Sequence, residues 1–265
     1  MLAFVEQFDF HHIDLSQIVA GVSFVGVRIS GLMLFAPFTG SDVISAPVKA
    51  ALTLLITALI YPVSPVVAIA ASPVGWMKVV AGEAVIGIGM GLLLQFAFEA
   101  AQFAGQLFGI QTGFSLITLL DPQTQADSPS LAVFTQMMAL LLFLEMNVHH
   151  WVLRGVAASF VYLPPGAMGN LGVLTRGVFE AANGLWIAGL QLAAPVLVVT
   201  VLIEITLGFV GKAAPQLPAT LAGLPLKSVF GLLVMAIAAG AWPRFFEHQF
   251  LNGLAGTEKL LHLAR

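Results

Sequence analysis

The chain has no cysteine. Disulfides and thiolate metal sites are therefore excluded, and the redox compartment is left open. It is also nearly without charge. Asp, Glu, Lys and Arg make up 9% of its 265 residues, where a soluble domain carries about 25%. No basic cluster is present and the formal net charge is −3, which argues against a nucleic-acid partner. The first 17 residues contain Glu6, Asp9 and Asp14 but no Lys or Arg. Without a basic leader region, a cleaved signal peptide is not expected.

Apolar residues fill that gap. Hydrophobic types reach 59% and the mean hydropathy is +0.98. So few charges cannot cover a water-facing surface, and lipid or a large partner surface must replace much of the water. Six apolar stretches are long enough for a bilayer, which needs about 20 residues. They run over 18–38, 47–70, 79–108, 131–162, 183–210 and 224–242. β-Barrel spans are about 10 residues with strict alternation, and these runs are longer and lack it. The fold expected is an all-α, membrane-type bundle of about six long helices, some kinked or over-long. Residues 1–243 form the hydrophobic helical domain and 244–265 a short amphipathic tail. Pro62, Pro65 and Pro73 separate the second and third runs, and Pro164-Pro165-Gly166 ends the fourth. Basic residues are spread over nearly every loop, so charge counting gives no clear orientation.

The third run is the most informative. A helix over 79–108 would be about 45 Å long, beyond a hydrocarbon core of about 30 Å. Ala97, Ala101, Gly105, Gly109 and Gly113 recur every four residues, a small-residue row that lets helix backbones approach closely. Gln95, Glu99, Gln102 and Gln106 share another face. A polar stripe of this kind faces other helices of the bundle, a partner, or a wet lumen, because lipid would leave its amides unsatisfied. Next comes Gly113-Phe114-Ser115-Leu116-Ile117, and then Asp121-Pro122. Gly113 permits a left-handed turn. The apolar segment after it is too short to span. It is either a plain interhelical turn or a hydrophobic loop that closes a pore.

Arg28, Glu83, Glu145 and Glu204 lie within apolar runs. Each costs roughly 3 kcal/mol at a bilayer centre, so each is either a buried ion pair or a functional group. Arg28 could pair with any of the glutamates, and Glu83 also lies near Lys78. His149 and His150 are adjacent and diverge by about 100° on a helix, which does not suit a metal site. Gly21-Val22-Ser23-Phe24-Val25-Gly26 misses a nucleophile elbow by one residue, and Gly87-Ile88-Gly89-Met90-Gly91 lacks a dinucleotide-loop spacing. Both are helix-packing glycines on this reading. No catalytic residue, cofactor-binding residue or metal ligand is assigned. A secondary transporter using Glu83, Glu99, Glu145 and Glu204 as proton or ion carriers is the alternative, although no inverted repeat is evident.

Ordered motifs resemble one family. Gly82-Glu83, Ala104-Gly105-Gln106, Gln111-Thr112-Gly113 and Asp121-Pro122 resemble the third-helix signature of the FliR/SpaR type III export family. Arg28-Ile29-Ser30-Gly31 with Ala36-Pro37, Leu142-Phe143-Leu144 with Asn147, His149 and His150, and Ala214-Pro215-Gln216-Leu217 with Gly223-Leu224-Pro225-Leu226-Lys227 are similar to its other blocks. The flagellar branch is the nearer one. Pro218, Ala219, Thr220 and Leu224 depart from the family pattern. The resemblance implies a structural and gating subunit of a protein-export channel in the bacterial inner membrane, within the flagellar basal body, and not an enzyme. It implies FliP-type and FliQ-type gate subunits and an FlhB-type switch protein as partners, with unfolded proteins in transit. Helices displaced toward the periplasm are part of the same implication. The loop after Gly113 would then project into the lumen, with Phe114, Leu116 and Ile117 as the seal.

Overall fold

A computed structural model describes residues 15–37, 44–64, 72–115, 130–165, 171–214 and 219–264. Within them the chain is helical and contains no strand. The helices are α1 (Leu15–Phe35), α2 (Ala46–Ile60), α3 (Pro73–Thr112), α4 (Ser130–Glu145), α5 (Val148–Tyr162), α6 (Leu171–Ala213), α7 (Ala219–Ala239) and α8 (Trp242–Ala264). The all-α membrane-type bundle is as expected. By length and composition, α1, α3 and α6 can each cross a membrane, and the broken pairs α4–α5 and α7–α8 bring the total among the described residues to as many as five.

Several boundaries differ from the sequence reading, each for a local reason. Pro73 starts α3 instead of merely ending what precedes it. Proline suits the first helical position, and Ser72 Oγ accepts the Gly75 N–H at 3.1 Å as the cap. The helix therefore has 40 residues, about 60 Å. Of the run over 47–70, the described residues form most of the 15-residue α2 and a 3-10 turn at Tyr61–Val63 that holds Pro62. Residues 65–70 lie outside the described set. The run over 131–162 is two helices, because Asn147 adopts a left-handed φ of 55°, a conformation asparagine tolerates better than most. The run over 183–210 starts earlier, and α6 has 43 residues with Pro195 inside it.

Contacts divide the chain into two units. The first comprises Met1–Leu94, His150–Phe179 and Leu254–Arg265. Its core joins Val25, Ile29 and Leu32 of α1 to Ile56 and Ile60 of α2, Ile86 and Met90 of α3, and Val156 and Phe160 of α5. Here α1 and α3 touch backbone to backbone. A Cβ on Gly87 would collide with the Arg28 carbonyl, and one on Gly91 would stand 2.7 Å from the Leu32 carbonyl. The expectation of helix-packing glycines is met at these two positions.

The second unit comprises Gln95–His149 and Glu180–Gly253. Trp242, Phe246 and Phe250 are buried every four residues along α8. Phe250 meets Phe98 of α3 and Phe143 of α4 at centroid distances of 5.6 and 5.5 Å. Beside that aromatic cluster, a Cβ on Gly105 would lie 2.5 Å from Ala132 Cα, and the Thr135 hydroxyl donates to the Ala101 carbonyl at 2.8 Å.

Gly87→Ala should lower stability by about 1–3 kcal/mol, the cost of overpacking a tight contact. Gly82→Ala, where an added Cβ meets nothing within 4 Å, should be neutral or gain about 0.5–1 kcal/mol from helix propensity. Thermal unfolding of both variants in detergent separates these outcomes, and equal Tm values would remove the close-packing account.

Candidate functional site

In the first unit the polar chemistry converges on Arg28. It is buried to 1% exposure in the middle of α1, and Glu83 of α3 is buried to 2%. Arg28 Nε donates to Glu83 Oε2 at 2.6 Å. Nη1 donates to Ser159 Oγ at 3.0 Å and Nη2 to the Leu163 carbonyl at 2.9 Å. The guanidinium carbon stands 4.1 Å from the centre of the Phe160 ring. Leu163 directly follows α5, where a helix leaves carbonyls without intrahelical partners and favours positive charge. A single side chain thus neutralises a carboxylate, closes a helix end and stacks on an aromatic face. Glu83, Gly87 and Gly91 are spaced by four on α3. The carboxylate and both close-approach glycines therefore lie on one stripe of the helix, facing α1.

The four expected charges consequently have different fates. Arg28 and Glu83 come together. Glu204 pairs with Lys227 across α6 and α7 and is exposed, as is Glu145 at the end of α4. Lys78, the sequence neighbour of Glu83, is exposed. An apolar groove of about 180 Å³ lies near the start of α6, lined by residues that include Val85, Gly89, Leu92, Val178 and Phe179. Apart from Thr175 its lining is apolar side chains and glycine.

In the second unit, Gln95, Glu99, Gln102 and Gln106 are all half-buried, and Gln95 Nε2 donates to Glu99 Oε1 at 2.7 Å. Of the small row, Ala101, Gly105 and Gly109 are buried and Ala97 is half-buried. The tight contact at Gly105 is with the chain's own α4. The row ends where α3 ends. Gly113 has the left-handed φ of 84° that its residue type allows, and its N–H donates to the Ile110 carbonyl at 3.3 Å. Phe114 is 38% exposed. Ser115 Oγ is buried without a hydrogen-bond partner among the described residues. Leu116, Ile117, Asp121 and Pro122, the rest of the expected seal, lie outside the described residues.

Sequence reasoning missed Ser159, Phe160 and the Leu163 carbonyl as partners of Arg28. It also missed Ser228 and Gly231, which pack against the end of α3. The four-residue spacing of Glu83, Gly87 and Gly91 was a usable signal. The other contacts join residues more than a hundred positions apart, and nothing in the local pattern announces them.

These features define the class as a hydrophobic helical bundle, organised by buried polar contacts and helix-packing glycines. Comparison with known proteins gives the family. The description "Bacterial export proteins, family 1" matches residues 19–253, and the chain belongs to that family. It is 32% identical over 224 residues to the flagellar biosynthetic protein FliR of Pectobacterium carotovorum subsp. carotovorum, covering 84% of this chain and 86% of the relative. To FliR of Bacillus subtilis (strain 168) it is 36% identical over 158 residues, covering 58% and 61%. To the surface presentation of antigens protein SpaR of Salmonella typhimurium it is 26% identical over 232 residues, covering 87% and 85%.

Removing one partner of a buried pair strands the other charge, at about 3–5 kcal/mol. Arg28→Met and Glu83→Met should each lose stability on that scale. The double variant Arg28→Met with Glu83→Met should lose less than either, since no lone charge remains. Its residual loss reflects the unfilled Leu163 carbonyl, about 1–3 kcal/mol. A double-mutant cycle in detergent measures the coupling, and strictly additive losses would show that the pair is not coupled.

Proposed function

We propose that this chain is a structural and gating subunit of a flagellar type III protein-export channel. The observation that carries the reading is the family match over 19–253, together with flagellar FliR relatives covering most of the chain. Physical features support it. The most apolar stretch of α6 has only 17% of its residues buried within the chain, against 44% for α1. Phe179, Trp186, Leu202 and Phe209 are exposed along α6. A helix this apolar and this uncovered needs lipid or other subunits around it.

On this reading the chain sits in the bacterial inner membrane. FliP-type and FliQ-type subunits and an FlhB-type protein assemble with it, and unfolded proteins pass through. The segment beginning at Gly113-Phe114 closes the path, with Phe114, Leu116 and Ile117 as the oily contacts of the seal. The polar stripe Gln95, Glu99, Gln102 and Gln106 then offers partly buried amides to partner helices or to the lumen.

A transporter needs carboxylates that take up and release an ion. Glu83 is committed to Arg28, Glu204 to Lys227, and Glu99 accepts from Gln95. These commitments weigh against the transporter alternative.

In a bacterium lacking its own FliR, the chain should restore secretion of flagellar proteins into the medium. Failure, with the chain inserted and stable, would count against the export role. Deleting 114–117 should leave the chain associated with its partner subunits but let small ions leak through the assembly. Unchanged conductance in an assembled complex would remove the sealing role while leaving membership of the apparatus intact.

A further inference from the structure

The last turn of α3 is fastened by one turn of α7. The Thr112 carbonyl belongs to the final turn, where a helix leaves carbonyls without intrahelical donors. Thr112 itself is buried to 1% exposure, and its own hydroxyl donates to the Phe108 carbonyl at 2.6 Å. The Thr112 carbonyl takes its bond from Ser228 Oγ at 2.5 Å, 116 residues away in sequence. One helical turn on, Gly231 provides the recess that admits the Thr112 methyl. A Cβ there would stand 2.5 Å from Thr112 Cγ2 and 3.7 Å from Cγ2 of the buried Thr200 of α6. Lys227, the residue before Ser228, is paired with Glu204 of α6. Residues 227–231 therefore grip α6 on one side and the end of α3 on the other. Directly beyond that end lie the left-handed Gly113 and the exposed Phe114.

The Ser228 hydroxyl has one proton and two carbonyls in reach. One is Thr112 O at 2.5 Å, and the other is Leu224 O of its own helix at 2.9 Å. Serine in a helix readily bonds back to the carbonyl four residues earlier. Releasing Thr112 therefore leaves Ser228 still bonded, and only the α3 end loses a partner. An arrangement of this kind can open without stranding the group that holds it.

We propose that Ser228, seated by Gly231, is the positioning residue for the root of the Gly113-Phe114 segment, and that moving this turn of α7 loosens that root. The regulatory part of the proposal rests on the sealing role given above; the positioning part does not. Hydrogen exchange of the purified full-length chain in detergent tests the positioning directly. In Ser228→Ala, amides over 112–115 should exchange about fivefold faster, the population change that one net hydrogen bond supports. Exchange in α1 and α5 should not change. Ser228→Thr keeps the hydroxyl and should restore protection. Thr206→Ala removes a hydroxyl that bonds within α6, to Leu202 O at 2.8 Å, and should leave 112–115 unaffected. Gly231→Ala should loosen the same amides with Ser228 intact, which keeps the test open if Ser228→Ala fails to fold. Unchanged exchange over 112–115 in a folded Ser228→Ala or Gly231→Ala protein overturns the proposal.

Ion leak from cells carrying the assembled complex separates the two readings. Leak from both Ser228→Ala and the 114–117 deletion supports the proposal. Leak from the deletion alone overturns its regulatory part. With no leak from either, the sealing role fails, and exchange alone decides whether Ser228 positions the helix end.

Discussion

The first unit is organised around one cation that cannot be left alone. A guanidinium buried to 1% exposure would be untenable without compensation, because desolvating a charge costs several kcal/mol even after relaxation. Three groups supply that compensation: the Glu83 carboxylate from α3, the Ser159 hydroxyl from α5, and the carbonyl that follows α5. Arginine suits the position where lysine would not, because a planar fork of donors can address three acceptors at once and still stack on Phe160. The pair need not add net stability over an apolar core. What it adds is selection. Most other residues in these helices are apolar, and apolar surfaces slide past one another at little cost. A charge with three dedicated acceptors fixes the axial register of α1, α3 and α5, and the glycine contacts at Gly87 and Gly91 fit only in that register.

The second unit, among the described residues, solves the same problem without a buried charge. Its core is aromatic, and its directional bonds are hydroxyl-to-carbonyl contacts from Thr135 and Ser228 to the backbone of α3. Such bonds are modest in water, but between helices they address carbonyls that have few other donors. Both units thus specify helix register with few polar contacts set beside glycine. That economy is what a chain with 9% charged residues has available.

The sequence reading recovered the class of fold because the dominant force is legible one residue at a time: long apolar runs without strict alternation can only be helices in such a chain. Boundaries were less legible because proline has two meanings. Pro73 opens a helix where it was read as a break, whereas Pro195 sits inside α6 and ends nothing. The Arg28–Glu83 pair was half visible. Both residues stood out as charges in apolar runs, but choosing between Glu83, Glu145 and Glu204 needed the third dimension. Gly113 was read correctly because a left-handed residue after a helix is a local property. Ser228 and Gly231 were not seen at all. A serine and a glycine in an apolar helix carry no signal until their partner, 116 positions earlier, is brought alongside.

The distribution of polar groups also separates fixed structure from the part that moves in the proposed channel. A gate must change state against a framework that does not. In the first unit Arg28 donates to three specific acceptors, so displacing it breaks several bonds together. At the end of α3 the balance is different. Ser228 has an alternative acceptor 2.9 Å away in its own helix, and Gly113 gives the backbone a conformation from which the chain can turn either way. A switch needs a second state within reach, and on the proposed reading the second carbonyl near the Ser228 hydroxyl offers one. The polar cluster around Arg28 and the hydroxyl with two acceptors are therefore complementary uses of scarce hydrogen-bonding groups in the proposed channel. One holds helices in register, and the other leaves a single helix end free to be released.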